Sequence, residues 1–480
     1  MDIIFWSGLP NNRKLVQRYI GPYQLGHWLE KNGHSYQVID FIMREQAKMM
    51  STDQLFALTE QFIKPNTKAI GLSTTFFGHV YNRDIPPNAK VVIQQIKEKY
   101  PHVKFILGGN NAENTDPHVT RLFDAVVIGL AEDVLLQLLD FYAGKGAEPV
   151  FRRPVLHQTK FYYSDDVADK KFDIQHNDHQ WAAKDILMPG EVLPLEVSRG
   201  CIFHCKFCQY PLLGRSKYDY TRGMDQLKQE LLQNYEMYGT TNYYLLDDTF
   251  NDTPQKVKEF HAMVTSLPFQ ICWTGYVRAD LLDRFPETIQ LIKETGIAGA
   301  FFGIETFGKQ AAHAVGKGWS YQKAQDFLPE LIHTHWNDQV STHISMIAGL
   351  PGDTEESLHA SVDWFQANNL HVFNFKPLWV LKHDSTKVFS SIFAKEANSY
   401  GYEFPYPDSP AHWVNSKTGW TYQRATTVAA DLNARRDPIL HREDVWDEVA
   451  RLTTHNDDAW HQEYVKRLKA YGKRYLSNMQ

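Results

Sequence analysis

Cysteine is nearly absent from this chain: four thiols in 480 residues, too few to staple a chain of this length into a disulfide framework. Long apolar runs are missing as well. The stretch "AVVIGLAEDVLLQLL" (125–139) is broken by Glu132 and Asp133, and nothing approaches the roughly 18–20 apolar residues that cross a bilayer. The opening "MDIIFWSGLPNN" has neither a basic leader region nor a small-residue cleavage site, so no secretory signal is expected. An excess of positive charge is lacking too. With 50 Lys and Arg against 56 Asp and Glu the formal net charge is −6, which argues against a broad basic surface for nucleic acid. These absences together predict a cytoplasmic protein with no membrane partner, acting on small molecules or another protein. In that compartment thiols stay reduced, so clustered cysteines point to metal binding or catalysis.

What is there is an α/β rhythm. The length predicts two or three domains. From 1 to 145, "DIIFW", "YQVID", "KAIGLST", "KFILGG" and "AVVIGL" are continuous apolar runs separated by crossover-length segments, the pattern of parallel strands buried on both faces. A doubly wound parallel sheet is expected. Several runs end in small or polar residues: Ser73 and Thr74, Gly108, Gly109 and Asn110, and Gly129. Those positions are the carboxyl ends of strands, where open α/β sheets bind ligands. Residues 146–188 lose the rhythm and read as a connecting segment.

From 189 to 395 the rhythm returns at longer spacing. "LPLEVSR", "NYYLLDD", "FQICWTG", "AGAFFGIE", "STHISMIAG" and "HVFNFKPLWV" give six strand candidates, each followed by room for a helix, which predicts a partial (β/α)6 TIM-like barrel. Polar residues gather at the strand ends: the cysteines, Asp247, Asp248, Arg278, Glu305, His343 and Lys376. Residues 396–480 combine Trp413, Trp420, Tyr422, Trp446 and Trp460 with charged helical stretches. A mainly helical extension or cap is expected there.

Three of the four cysteines, Cys201, Cys205 and Cys208, fall within "RGCIFHCKFC". Thiolates at this spacing in a wrapped loop can converge on one soft metal site, and Cys272, the fourth, stands alone in the third barrel strand. Three local ligands suggest an iron–sulfur cluster with one iron open to an outside ligand. The competing reading is zinc, with His204 completing a Cys3His set; its position beside Cys205 makes convergence on one ion difficult.

At this point the sequence resembles the radical SAM superfamily, and in particular the subgroup with a preceding cobalamin-binding-type domain. Cys201-x3-Cys205-x2-Cys208 after the first barrel strand resembles that family's signature, and "YYLLDDTFND", "GIETFGKQAAHAVGKG" and "ISMIAGLPGDTEESL" resemble its later strands in order. In the first domain, "GPYQLGHWLEKNGHSYQVID", "IGLSTTFF" and "FILGGNNAENTDP" are similar to the cobalamin-binding-type domain. The resemblance implies that the three cysteines ligate a [4Fe-4S] cluster and that S-adenosylmethionine (SAM) chelates its open iron. It implies SAM contacts from Phe207, Asp247, Asp248, Arg278, Glu305 and Ile347. It implies cobalamin, if bound, against Ser73, Thr74, Gly108, Gly109, Asn110 and Gly129. It implies a reductant such as flavodoxin or ferredoxin.

The function expected is reductive cleavage of SAM to a 5′-deoxyadenosyl radical, in a cobalamin-dependent methyltransferase acting on an unactivated carbon of a small-molecule or protein-bound substrate. A cobalamin-independent oxidation, cyclisation or rearrangement stays open, as does a non-catalytic zinc- or cluster-binding protein. The Asp-x-His-x-x-Gly motif that ligates cobalt from below is absent. Since neighbouring residues of a strand point to opposite faces, only one of Asp247 and Asp248 can face the site, and Asp248 is favoured because Leu246 and Phe250 share its parity. His343 and Cys272 are expected to be ordinary core residues, and "VGKGWS" (315–320) is expected to be a turn, since it departs from the phosphate-loop pattern.

Overall fold

A computed structural model describes residues 1–7, 18–41, 51–74, 85–109, 112–152, 158–188, 191–208, 210, 219–385, 390–406 and 411–436, with 463, 466, 467 and 470. Among these, Met1–Pro194 with Asp225–Asn242 and residues 463, 466, 467 and 470 fall in one compact unit, and Leu195–Met224 with 243–436 fall in the other.

The first unit is built on a six-stranded, wholly parallel sheet. Its strands are β1 (Ile3–Ser7), β2 (Tyr36–Asp40), β3 (Ala69–Ser73), β4 (Lys104–Gly108), β5 (Ala125–Ile128) and β6 (Lys160–Tyr163), in the order β2-β1-β3-β4-β5-β6. Every residue of β1, β2 and β5 is buried. The apolar runs are continuous because both faces of such a sheet are covered by helices. The helix Pro87–Lys99 illustrates the covering layer. Proline stands at its start, Lys97 and Lys99 in its last turn, and its buried residues Ala89, Val92, Ile93 and Ile96 fall on one stripe. The segment expected to be a connector, 146–188, instead supplies β6, which pairs in parallel with β5 from Ala125↔Lys160 to Ile128↔Tyr163. Its alternation of charge and aromatics hid a strand that adds to the sheet's edge.

The second sheet also has six strands: β7 (Leu193–Leu195), β8 (Asn242–Leu245), β9 (Cys272–Tyr276), β10 (Ile297–Glu305), β11 (Ser341–Ala348) and β12 (Phe373–Pro377). They lie in sequential order from β12 to β7, the arrangement of a partial barrel made of repeated crossovers. Helices occupy each crossover, among them Pro254–Thr265 and Glu355–Ala367. Thr253 and Thr354 cap these two by accepting the amides of Lys256 and Ser357. Phe250, Phe260 and Trp273 pack edge to face and tilted, with centroids 4.9–6.3 Å apart, and hold the second crossover to β9.

Beyond β12 helix outweighs strand in the described chain, and most of 437–480 lies outside the described residues. Two short helices precede a two-stranded ladder of Tyr402–Glu403 and Val414–Asn415, and the helix Tyr422–Ala434 follows. Asn433 ties that helix to β12 by accepting the Phe375 amide at 2.8 Å and donating to the Phe375 carbonyl at 2.9 Å. Trp413 and Trp420 are core residues here, while Trp446 and Trp460 lie outside the described residues.

Candidate functional site

The carboxyl ends of β8, β9 and β10 and the cysteine loop after β7 enclose one cavity. It is lined by Cys201, Cys205 and Cys208, by Phe203, Phe207 and Tyr210, and by Asp248, Thr249, Tyr276, Arg278, Phe301, Gly303, Glu305 and Lys317. The strand ends set this out. A parallel sheet delivers all of its carboxyl-terminal loops to one rim, so residues far apart in sequence meet there.

The cysteine loop is held from several sides. Thr249 Oγ1 lies 3.6 Å from Cys201 Sγ, Arg278 Nη1 lies 3.7 Å from Cys205 Sγ, and the Tyr210 amide donates to Cys208 Sγ at 3.5 Å. None of the three thiols is in a disulfide. Burial pushes the Cys201 thiol up and the Cys208 thiol up to about 12. Such thiols become thiolates only when positive charge replaces the lost hydration, which is what bound iron provides. Among the described residues no three His, Cys, Asp or Glu groups close on a point small enough for a single ion, and His204 is exposed and away from the cavity. The three cysteines share one cavity, and His204, the fourth ligand that a Cys3His zinc site would need, is not among its lining.

Asp247 and Asp248, in the loop just after β8, part company. Asp248 opens onto the cavity, where it keeps accessible surface, and takes a hydrogen bond from Tyr210; the protein packed around the cavity raises it to about 7. Asp247 does not line the cavity, which corrects its expected role as a SAM contact. It is fully buried, accepts the amides of Val197 and Ser198 at 3.0 and 2.9 Å, and pairs with the equally buried Lys256 at 3.3 Å. Lys256 also reaches Asp252 at 2.9 Å and Ser198 Oγ at 3.1 Å. This network braces the backbone that enters the cysteine loop. The sequence reading missed Lys256, although its spacing of four from Asp252 at a helix start was visible.

Arg278 forks onto Asp280 at 2.9 and 2.5 Å and stacks 3.9 Å over Phe203, so its charge is fixed beside the cysteine loop. Glu305 ends β10 with φ +74, a left-handed backbone that costs about 1–2 kcal/mol for a residue with a side chain. Ile347 is buried within β11 and is not among the cavity residues. His343 is core, stacked on Phe301 at 4.8 Å. Cys272 begins β9, at the end of the strand opposite to Tyr276 and the cavity.

Residues 195–365 match the model of the radical SAM superfamily. This stretch is a radical SAM domain. The chain is also similar to two curated methyltransferases. One is the uncharacterized methyltransferase PH0819 of Pyrococcus horikoshii, 26% identical over 167 residues, 34% of this chain and 34% of the relative. The other is bacteriochlorophyllide d C-12(1)-methyltransferase of Chlorobaculum tepidum, 21% identical over 183 residues, 38% of this chain and 39% of the relative. The chain thus spans little more than a third of the length of the curated relatives it matches.

Among solved structures it shares its fold with the radical SAM methyltransferase TsrM of Kitasatospora setae, with a tryptophan substrate and a SAM analogue bound. The TM-score is 0.64, at 15% identity, covering 100% of both chains. It also shares its fold with the cobalamin-dependent radical SAM enzyme OxsB with aqua-cobalamin and SAM bound, at a TM-score of 0.57 and 14% identity, covering 76% of this chain and 51% of that one. Two parallel sheets, one Rossmann-like and one of the radical SAM kind, are therefore the fold of this chain.

The order of the Rossmann-like sheet reverses between β1 and β3, the switch point at which such sheets form a ligand crevice. Ser7 ends β1 there, and its buried hydroxyl has no hydrogen-bond partner among the described residues. Ser7 was not singled out in the sequence. Ser73 and Thr74 end β3 and sit beside Gly108, whose carbonyl takes bonds from the Thr74 amide and hydroxyl at 2.6 and 3.0 Å. Gly109 follows with φ +98. The Thr74 donors are spent on Gly108, so Ser7, with no partner among the described residues, is the group here whose chemistry fits a polar ligand such as a corrinoid approaching the backbone closely. Gly129 has another reason to be glycine: its φ is +90 and a Cβ would sit 2.2 Å from Ser164 Oγ. Asn110 lies outside the described residues.

Proposed function

We propose that this protein is a cobalamin-dependent radical SAM methyltransferase acting on an unactivated carbon. The observation that carries the reading is the single cavity in which three cysteines from one loop face Asp248, Arg278 and Glu305 from three strand ends. Cys201, Cys205 and Cys208 would hold a [4Fe-4S] cluster. When bound and reduced, that cluster supplies one electron to the SAM sulfonium, breaking a carbon–sulfur bond to give methionine and a 5′-deoxyadenosyl radical, while a corrinoid supplies the methyl group.

The chain's own residues bind, orient and exclude water. Asp248 accepts the amino group of the methionine moiety, Arg278 takes its carboxylate, Glu305 takes the ribose hydroxyls and Phe207 packs on the adenine. The aromatic walls of Phe203, Tyr210, Tyr276 and Phe301 keep the reacting carbon dry. Ser7, Ser73, Thr74 and Gly108 would receive the corrinoid. The substrate is a small or protein-bound molecule, and the electron comes from a cytoplasmic donor such as flavodoxin or ferredoxin.

The test is anaerobic expression with iron, sulfide and hydroxocobalamin, followed by metal and corrinoid analysis and SAM cleavage under dithionite. About four irons per chain, bound corrinoid and 5′-deoxyadenosine are the expected outcome. Iron and cleavage without corrinoid would leave a cobalamin-independent radical enzyme. Zinc without cleavage would overturn the reading.

A further inference from the structure

Lys317 stands in "VGKGWS", between two glycines of positive φ, Gly316 at +78 and Gly318 at +74. Such a pair lets a short loop turn twice and aim one side chain. What Lys317 is aimed at is the end of β10. Its ammonium donates to the Gly303 carbonyl and lies 2.8 Å from Glu305 Oε1, and both partners of the ion pair are largely buried, at 13% and 9% exposure. Between Gly303 and Glu305 the pairing of β10 with β11 slips, and Glu305 takes its left-handed backbone. A Cβ on residue 303 would lie 2.4 Å from Glu305 Oε1 and 3.2 Å from Lys317 Nζ, so a larger residue there would displace the tips of the pair.

The same loop is tied to the cysteines. The Lys206 amide donates to the Val315 carbonyl at 3.2 Å, and Lys317 Nζ lies 6.0 Å from the Phe207 ring centroid. Bonds from Lys317 thus hold one strand end, and its neighbours hold the cysteine loop. A residue held at positive φ persists where its surroundings over-determine it, and here the surroundings are Lys317, Gly303 and the slipped register.

We propose that Lys317 is a positioning residue that holds the Glu305 carboxylate in the cavity and thereby sets the affinity for SAM, without touching the reacting atoms. This rests on the radical SAM reading above. Removing the ammonium frees the carboxylate to leave its strained backbone, whereas arginine keeps a charge of the same sign within reach.

The experiment uses the full-length, anaerobically reconstituted protein and its Lys317→Met, Lys317→Arg, Glu305→Gln and Lys317→Met/Glu305→Gln variants. It reads iron content, the electron paramagnetic resonance spectrum of the reduced protein, SAM binding by equilibrium dialysis, and KM against kcat for SAM cleavage. In Lys317→Met the iron content and SAM-free spectrum should match wild type, with the SAM dissociation constant and KM raised about tenfold or more and kcat within about threefold. Lys317→Arg should recover most of the affinity. The double variant should be no worse than Glu305→Gln alone, because the two residues act as one unit. Wild-type affinity in Lys317→Met, a collapse of its iron content, or simple addition of the two losses would overturn the proposal. A wild-type protein that loads iron but whose spectrum ignores SAM would overturn the reading of the site and, separately identified, this proposal with it.

Discussion

Lys256 and Asp247 face each other at 3.3 Å with neither side chain exposed to solvent. The pair sits directly behind the cysteine loop, since Asp247 also accepts the amides of Val197 and Ser198. Removing the ammonium would strand two buried carboxylates, Asp247 and Asp252. Lys256→Met should therefore destabilise the protein by about 3–5 kcal/mol, read as a lowered urea midpoint, and should lower iron loading because the loop loses its brace. An unchanged midpoint would mean that the network bears no weight.

The cysteines separate cleanly by position. Replacing Cys201, Cys205 or Cys208 singly by Ala should abolish the cluster absorption and the iron, whereas Cys272→Ala, at the far end of β9, should keep about four irons per chain. Iron analysis after anaerobic reconstitution decides it, and loss of iron in Cys272→Ala would refute the assignment.

Arg278 places a fixed positive charge 3.7 Å from Cys205 Sγ. Charge and hydrogen bonds at the sulfurs tune a cluster's potential, so Arg278→Met should make reduction harder, with a midpoint lower by on the order of tens of millivolts. Spectroscopic redox titration checks the sign. An upward shift would mean that the charge acts elsewhere.

Gly303→Ala tests the geometry around Glu305 without removing a charge. The added Cβ would meet Glu305 Oε1 at 2.4 Å, so the carboxylate must move. A SAM KM raised several-fold with wild-type iron content is expected, and an unchanged KM would show that the strand end yields freely.

A pH effect on stability follows from Asp353, in the turn after β11. One carboxylate oxygen accepts the Gly349 and Leu350 amides at 3.0 and 2.8 Å. The other is buried with no hydrogen-bond partner among the described residues, and burial raises the group from 3.8 to about 7. Between those values the native state keeps a proton that the unfolded chain has released, so stability falls as pH rises through this window. Asp185, raised by burial to about 6, adds a smaller loss of the same sign. Between pH 5 and pH 7.5 the loss read from urea midpoints should be about 2–3 kcal/mol larger in the wild type than in Asp353→Asn. Equal slopes would refute the assignment.

The parallel sheets were legible in the sequence because a strand covered on both faces must be apolar throughout, and that signal is local. The Cys201, Cys205 and Cys208 spacing was legible for the same reason: the three candidate ligands lie on one short loop. The parity argument for Asp248 over Asp247 assumed a strand, whereas β8 ends at Leu245 and the loop beyond it sets the two side chains apart. Strand β6 was hidden because an edge strand needs only one partner and tolerates charges. Lys317 read as a turn residue and Lys256 was not singled out at all, because their meaning depends on groups brought near by other strands. The glycines beside Lys317, the slip of β10 and the burial around Asp247 become a single arrangement only when the crossovers bring the strand ends to one rim. Sequence alone therefore determined which strands form and which thiols cluster. The tertiary structure decided which charges face one another, because burial and ion pairing are properties of neighbours in space.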